Sequence, residues 1–157
     1  MSDLRTLSCE MEKLKKQIEE VLHISGYCEC DDLSALDDYN QIRTADERQK
    51  LEEYRNLLYK LEEVQSTLSY YSRPVKEVSR LHINASGRYE TNKGHYYTSG
   101  SCIEFMRIEE VYNNETHKWE DAYIWTTSRV ESQNGEYYIA GYSNVEMSGL
   151  RVRIRER

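Results

Sequence analysis

Leu4, Leu7, Met11, Leu14, Ile18 and Val21 recur at alternating spacings of three and four residues, which places all six on one stripe of an α-helix in the manner of a heptad seam. Between them Glu12, Lys13, Lys15, Lys16, Glu19 and Glu20 make a solvated face with opposite charges at helical neighbour spacing. Ser25-Gly26 supplies the stop, so the pattern predicts a first helix from about residue 3 to about residue 24. A second begins at Thr44-Ala45-Asp46-Glu47, where a threonine N-cap and a glutamate three residues on satisfy each other's free backbone N–H groups. Leu51, Tyr54, Leu57, Leu58, Leu61, Val64, Leu68 and Tyr71 carry its broad apolar stripe to Ser72-Arg73-Pro74, where the proline pushes the preceding residue out of helical geometry. Between the two, Asp31–Tyr39 reads as a short helix or an acidic loop, and the short helix is adopted. Two such stripes predict an antiparallel hairpin of coiled-coil type. Each stripe is wider than one partner covers, so the β domain or a second copy of the chain is expected against Leu4, Leu7, Met11, Leu14, Ile18, Leu51, Leu58 and Leu61.

After Pro74 the period changes from helical to two. Strand-like runs follow at Arg80–Asn84, Arg88–Thr91, His95–Thr98, Cys102–Ile108, Trp119–Thr126, Ser128–Gln133, Glu136–Tyr142 and Leu150–Arg155. Ala85-Ser86-Gly87, Asn92-Lys93-Gly94, Ser99-Gly100 and Asn113-Asn114 punctuate them. Asn134-Gly135 suits a type I′ hairpin turn whose register sets Val130 opposite Ile139. The expectation is an α+β chain: residues 1–76 a helical hairpin with a short connecting helix, residues 77–157 a small SH3-like or OB-like β-barrel, in which closure removes most exposed edges.

The phrases HINASGRYE, YYTSGSCIEFM, TSRVESQNGEYYIAGY and GLRVRIR, with their spaced aromatic, glycine and arginine positions, resemble the DUF5348 family, a small domain of unknown function. The resemblance covers roughly residues 78–156, leaving out the helices, and it departs from the family pattern in the TTSRVE stretch, where the tryptophan sits further from the arginine. It implies a compact β-barrel of a kind found mainly in Firmicutes, often within mobile elements and plasmids. It brings no activity, cofactor or catalytic residue to transfer.

Composition narrows the class. A chain with 38% hydrophobic and 31% charged residues is expected to fold in water. No run approaches the roughly 18 apolar residues of a membrane helix, and MSDLRTLSCEMEK is acidic where a signal peptide is basic, so the expectation is a cytoplasmic protein with no membrane partner. Cys9, Cys28, Cys30 and Cys102 are sparse and irregularly spaced, which suits free thiols. The net charge is -7. Residues 1–76 hold 11 Lys and Arg against 16 Asp and Glu, and residues 77–157 hold 10 against 12. Such a chain repels phosphate backbones at long range, and nucleic-acid binding would need a local basic patch.

Candidate chemistry is thin. Cys28-Glu29-Cys30 after His23 has paired-ligand spacing but needs a second pair, from Cys9 or Cys102, to make a zinc site; unremarkable thiols in a connection are the preferred reading, with no metal and no cofactor. A nucleophilic Cys102 would need His82, His95 or His117 as base, and no spacing singles one out; a small apolar residue packed at the start of a strand is preferred. No phosphate-cradling loop, nucleophile elbow or dinucleotide fingerprint occurs, so no enzyme is expected. The β half is rich in tyrosine. Trp119, Tyr123 and Trp125 fall on one strand face with Asp121, and Ala122 and Ile124 on the other, leaving open which face is core. Arg151, Arg153 and Arg155 line one side of the last strand, either as a basic patch or as a charged edge or intramolecular contact. With Tyr96 and Tyr97 these form a candidate binding surface. The leading expectation is an interaction or adaptor protein that engages a protein partner or itself. The alternatives are nucleic-acid binding through the Arg and aromatic surface, and an acidic inhibitor of a host nuclease or defence complex using Asp31, Asp32, Asp37 and Asp38.

Overall fold

The computed structural model describes residues 2–27, 32–41 and 43–157. The chain divides into two compact units, Met1–Arg73 and Pro74–Arg157, so the boundary falls at the proline, three residues before the expected 76/77 junction.

In the first unit, α1 spans Leu4–Ser25 and α2 spans Ala45–Ser72. Asp3 caps α1 by accepting the Thr6 N–H at 2.7 Å, and Gly26 ends it in the left-handed region at φ 67. A Cβ on Gly26 would stand 2.5 Å from that of Ala35, so both backbone conformation and space demand glycine there. The capping box of α2 is complete: the Glu47 N–H donates to Thr44 Oγ1 at 3.2 Å and the Thr44 N–H to Glu47 Oε2 at 3.1 Å, a pairing that stabilises a helix start by about 1 kcal/mol.

The expected short helix at 31–39 is not seen over its described part. Residues 32–41 are turns and bends, with Leu36 N bonded to Leu33 O, Tyr39 N to Leu36 O and Gln41 N to Asp38 O. Its Asp and Ser side chains compete for the backbone, as when Asp32 Oδ1 accepts the Ser34 N–H at 2.8 Å.

The unit's core joins Ile18 and Leu22 of α1 to Tyr27, Leu33 and Leu58, with Leu36, Leu51 and Leu61 packed against them. The inward stripe of α1 is therefore rotated from the predicted seam: Leu22 is buried where Val21 was expected, and Leu4, Leu7, Leu14 and Val21 are exposed. The helices also touch where Gln65 donates to Glu19 at 3.4 Å and Ser72 to Glu12 at 3.0 Å.

In the second unit, β1 (Val75–Arg80), β4 (Cys102–Asn113), β5 (Lys118–Gln133), β6 (Glu136–Ile139) and β7 (Arg151–Arg155) form an antiparallel sheet ordered β1-β7-β4-β5-β6, and β2 (His82–Ile83) pairs with β3 (Tyr89–Glu90) apart from it. The expected barrel is not closed, because β1 and β6 remain sheet edges. On the β1 side the 92–93 loop bonds to side chains of the strand, Asn92 N to Ser79 Oγ at 2.8 Å and Lys93 N to Glu77 Oε1 at 3.1 Å. On the other side β6 is only four residues long and turns away at Gly141. The expected His95–Thr98 strand contributes a single bridge, Glu90↔Tyr96. Trp119–Thr126 and Ser128–Gln133 merge into one strand of 16 residues.

The Asn134-Gly135 turn has φ 54 and 81 and sets Val130 opposite Ile139, as its type I′ chemistry predicts. Alternation then puts Ile103, Phe105, Val130, Ile139 and Val152 on one face, where Leu81, Tyr97 and Met147 complete the core.

Candidate functional site

The face of the sheet opposite this core carries Trp119, Tyr123, Trp125 and the arginines of β7, which decides the question that alternation left open. Its register lays Trp125 beside Met106, Tyr123 beside Ile108 and Trp119 beside Tyr112. Trp119 is 68% and Tyr123 74% exposed, and Trp119 meets only the edge of Tyr112, with ring centroids 5.6 Å apart.

The residues lie on a long projection. β4 and β5 pair without interruption from Cys102↔Arg129 to Asn113↔Lys118, while β7 is registered on β4 at Phe105↔Val152 and β6 on β5 from Val130 onward. Residues 107–124 therefore run on as a two-stranded arm exposing Ile108, Val111, Tyr112, Trp119, Tyr123 and Ile124. Asn113 organises its tip by accepting the Glu115 N–H at 2.9 Å and the Thr116 N–H at 3.3 Å, and His117 takes φ 55. The arm carries five carboxylates, Glu109, Glu110, Glu115, Glu120 and Asp121, against Arg107 and Lys118.

The arginines of β7 are not a continuous basic patch, and β7 is not an edge, since it lies between β1 and β4. Arg153 Nε donates to Glu104 Oε1 at 2.6 Å, and Arg155 reaches both oxygens of the same carboxylate, Nε to Oε2 at 3.0 Å and Nη2 to Oε1 at 3.1 Å. Glu104 is 2% exposed. Trp125 is a platform within this cluster, its ring centroid 4.4 Å from the Arg153 Cζ. Arg153 and Arg155 thus share an acid on the neighbouring strand β4. Alternation along Cys102–Ile108 marked Glu104 only as facing away from Ile103 and Phe105, and nothing local announces that β7 lies beside it.

Arg151 differs from its neighbours on β7. It stands directly opposite Arg80 of β1, and both border a hollow of about 970 Å³ that also meets Arg107, Tyr123, Tyr142 and Glu146. Sequence reasoning missed Arg80 and Arg107, because only the strand order brings them to Arg151.

Of the remaining predicted residues, Tyr97 is a core residue, 1% exposed and edge-on to His95 at 5.0 Å, so it offers no binding surface. The His95 imidazole is held below its usual range by burial. Tyr96 is exposed, with the Arg88 guanidinium 5.4 Å from its ring centroid. Among the self-association candidates, Ile18 and Leu58 are buried within the helical unit, Met11, Leu51 and Leu61 are half-buried, and Leu4, Leu7 and Leu14 are exposed. Cys102 is exposed and not packed in a core, and Cys9 is likewise an exposed free thiol. The Cys28-Glu29-Cys30 motif and Asp31 lie outside the described residues. In the acidic connection, Asp38 pairs with Arg43 at 3.1 Å. Among the described residues, no helix is long and apolar enough to cross a membrane.

No curated protein and no solved structure matches the chain. Residues 79–154 match the DUF5348 family, a domain of unknown function, as the sequence resemblance implied, and the span holds the core, the arm, Glu104 and Arg153.

Proposed function

We propose that this is a non-enzymatic interaction protein that pairs with a second copy of itself through its helices and offers its β arm to a protein partner. The observation that carries the reading is the unfilled seam: Leu4, Leu7, Leu14 and Val21 are exposed along the stripe on which Ile18 alone is fully buried. If α1 and α2 form an antiparallel coiled-coil hairpin, a repeat of 3.5 residues calls for a facing helix along its whole length. A second copy brings the same repeat and closes a two-fold, self-complementary interface.

Light scattering on the full chain tests this directly. The expected mass is that of a dimer, and replacing Leu4, Leu7 and Leu14 together by serine gives a monomer of the same far-ultraviolet helicity. A wild-type chain that stays monomeric at every concentration tried removes the self-association.

The arm suits a protein partner with a basic surface, because its carboxylates flank aromatic faces that attract lysine and arginine. Trp119→Ala and Tyr123→Ala together should change stability by no more than about 0.5 kcal/mol, as surface substitutions do. A lysine-rich amphipathic peptide should shift the tryptophan emission of the wild type and not of this variant. An equal shift with an acidic peptide would overturn the charge argument. Nucleic-acid binding ranks second, since Glu104 engages Arg153 and Arg155 and the acidic arm repels a phosphate backbone. Acidic mimicry ranks third, since Asp32 and Asp38 make local bonds of their own.

A further inference from the structure

We infer that the hollow at the start of β7 is a binding site for a compact, multiply charged oxyanion, a terminal phosphoryl group or a cluster of carboxylates, held by Arg80 and Arg151. The site arises from strand lengths. β7 begins at Arg151, whereas β4 runs on to Asn113, and the step beyond the end of β7, bordered by residues 144–150, leaves a space of about 970 Å³.

Charge points to the ligand. Arg80 and Arg151 are direct cross-strand partners, and like charges so placed repel. Among the described residues, no carboxylate lies within ion-pair distance of Arg80, Arg107 or Arg151, while Glu104 serves Arg153 and Arg155 on the same strand. Glu146 is the one acid at the rim. An anion between the Arg80 and Arg151 guanidinium groups turns that repulsion into attraction, and each planar fork matches the oxygen spacing of a carboxylate or phosphate.

Arg80 is fixed in advance, its Nη1 donating to the Gly149 carbonyl at 3.0 Å, while Arg107 turns to the core face, donating from Nε to Thr126 Oγ1 at 2.8 Å beside the Tyr142 ring. Held this way, Arg80 loses little freedom on binding. The neighbouring arm, with its five carboxylates, opposes an extended polyanion and leaves room only for a short one.

The test is calorimetric titration of the full chain with pyrophosphate and with citrate at fixed ionic strength, for the wild type and Arg151→Gln, together with the melting temperature of each free protein. The expected result is one-to-one binding by the wild type, weakened at least roughly tenfold by the substitution, as loss of a charged hydrogen bond implies, with a free-protein melting temperature equal or higher because the repulsion with Arg80 is relieved. Tighter pyrophosphate identifies a phosphoryl ligand and tighter citrate a carboxylate, and both support the site. It is overturned by absence of binding to both anions, by undiminished binding in Arg151→Gln, by a lower free-protein melting temperature in that variant, or by an oligothymidylate binding more tightly than either anion.

Discussion

Replacing Glu104 by glutamine is expected to destabilise the β unit by about 3–5 kcal/mol, more than any surface change in the molecule, because it removes the carboxylate that Arg153 and Arg155 share in a partly closed site. The Glu104 side chain is 1% exposed, and those of Arg153 and Arg155 are 20% and 10% exposed. Water therefore solvates these guanidinium groups poorly. Glutamine keeps the shape and one acceptor oxygen, so the loss reports the charge and not a cavity. For a unit of this size the expected drop in melting temperature exceeds about 12 °C, measured on the full chain by near-ultraviolet circular dichroism, where Trp125 beneath Arg153 reports the cluster. Replacing Glu104, Arg153 and Arg155 together by leucine and methionine should recover most of the loss, since apolar residues of similar volume are often neutral in place of a buried ion cluster. A melt of Glu104→Gln that coincides with the wild type would mean that the three side chains do not hold the sheet.

Phe105→Ala comes next, with an expected cost of about 3–5 kcal/mol from lost burial and the cavity left behind. Phe105 is fully buried at the one position where β4 and β7 are registered, so it packs the centre of the sheet. Its ring also meets Tyr142 edge-on at 5.4 Å, and Tyr142 in turn lies under Arg107. Truncation therefore also loosens the side of the hollow that Tyr142 and Arg107 line. Phe105→Leu, which keeps most of the volume, should cost less than about 1.5 kcal/mol. Chemical denaturation of the full chain separates these cases, and a loss below about 1 kcal/mol for alanine would contradict the packing described.

Both residues sit next to each other on β4 and face opposite ways, and they illustrate what alternation tells and what it hides. Period two places Ile103 and Phe105 on one face and Glu104 on the other, as in the structure. It could not tell that the other face is also covered at Glu104, because cover comes from β7, which pairs with β1 and β4 across long stretches of chain. For the same reason the pattern left open whether Arg153 and Arg155 form a basic patch, a charged edge or an intramolecular contact. The His95–Thr98 segment shows the reverse case: its β-favouring tyrosines and threonine suggested a strand, yet Tyr97 is used as a core plug, since burial of a large ring outweighs local propensity.

What the sequence alone determined was local. The helix stop at Gly26, the capping box at Thr44 and Glu47, the break at Pro74 and the type I′ turn at Asn134-Gly135 each depend on backbone chemistry within a few residues, and each stands where its residues demand. What only the tertiary structure decided was the order of strands. It left the sheet open, buried Glu104 between two arginines, turned Leu22 inward in place of Val21, and gathered Arg80, Arg107 and Arg151 around one hollow. These outcomes rest on contacts between residues far apart in the chain, whose free energy comes from burial and charge pairing that no local pattern encodes.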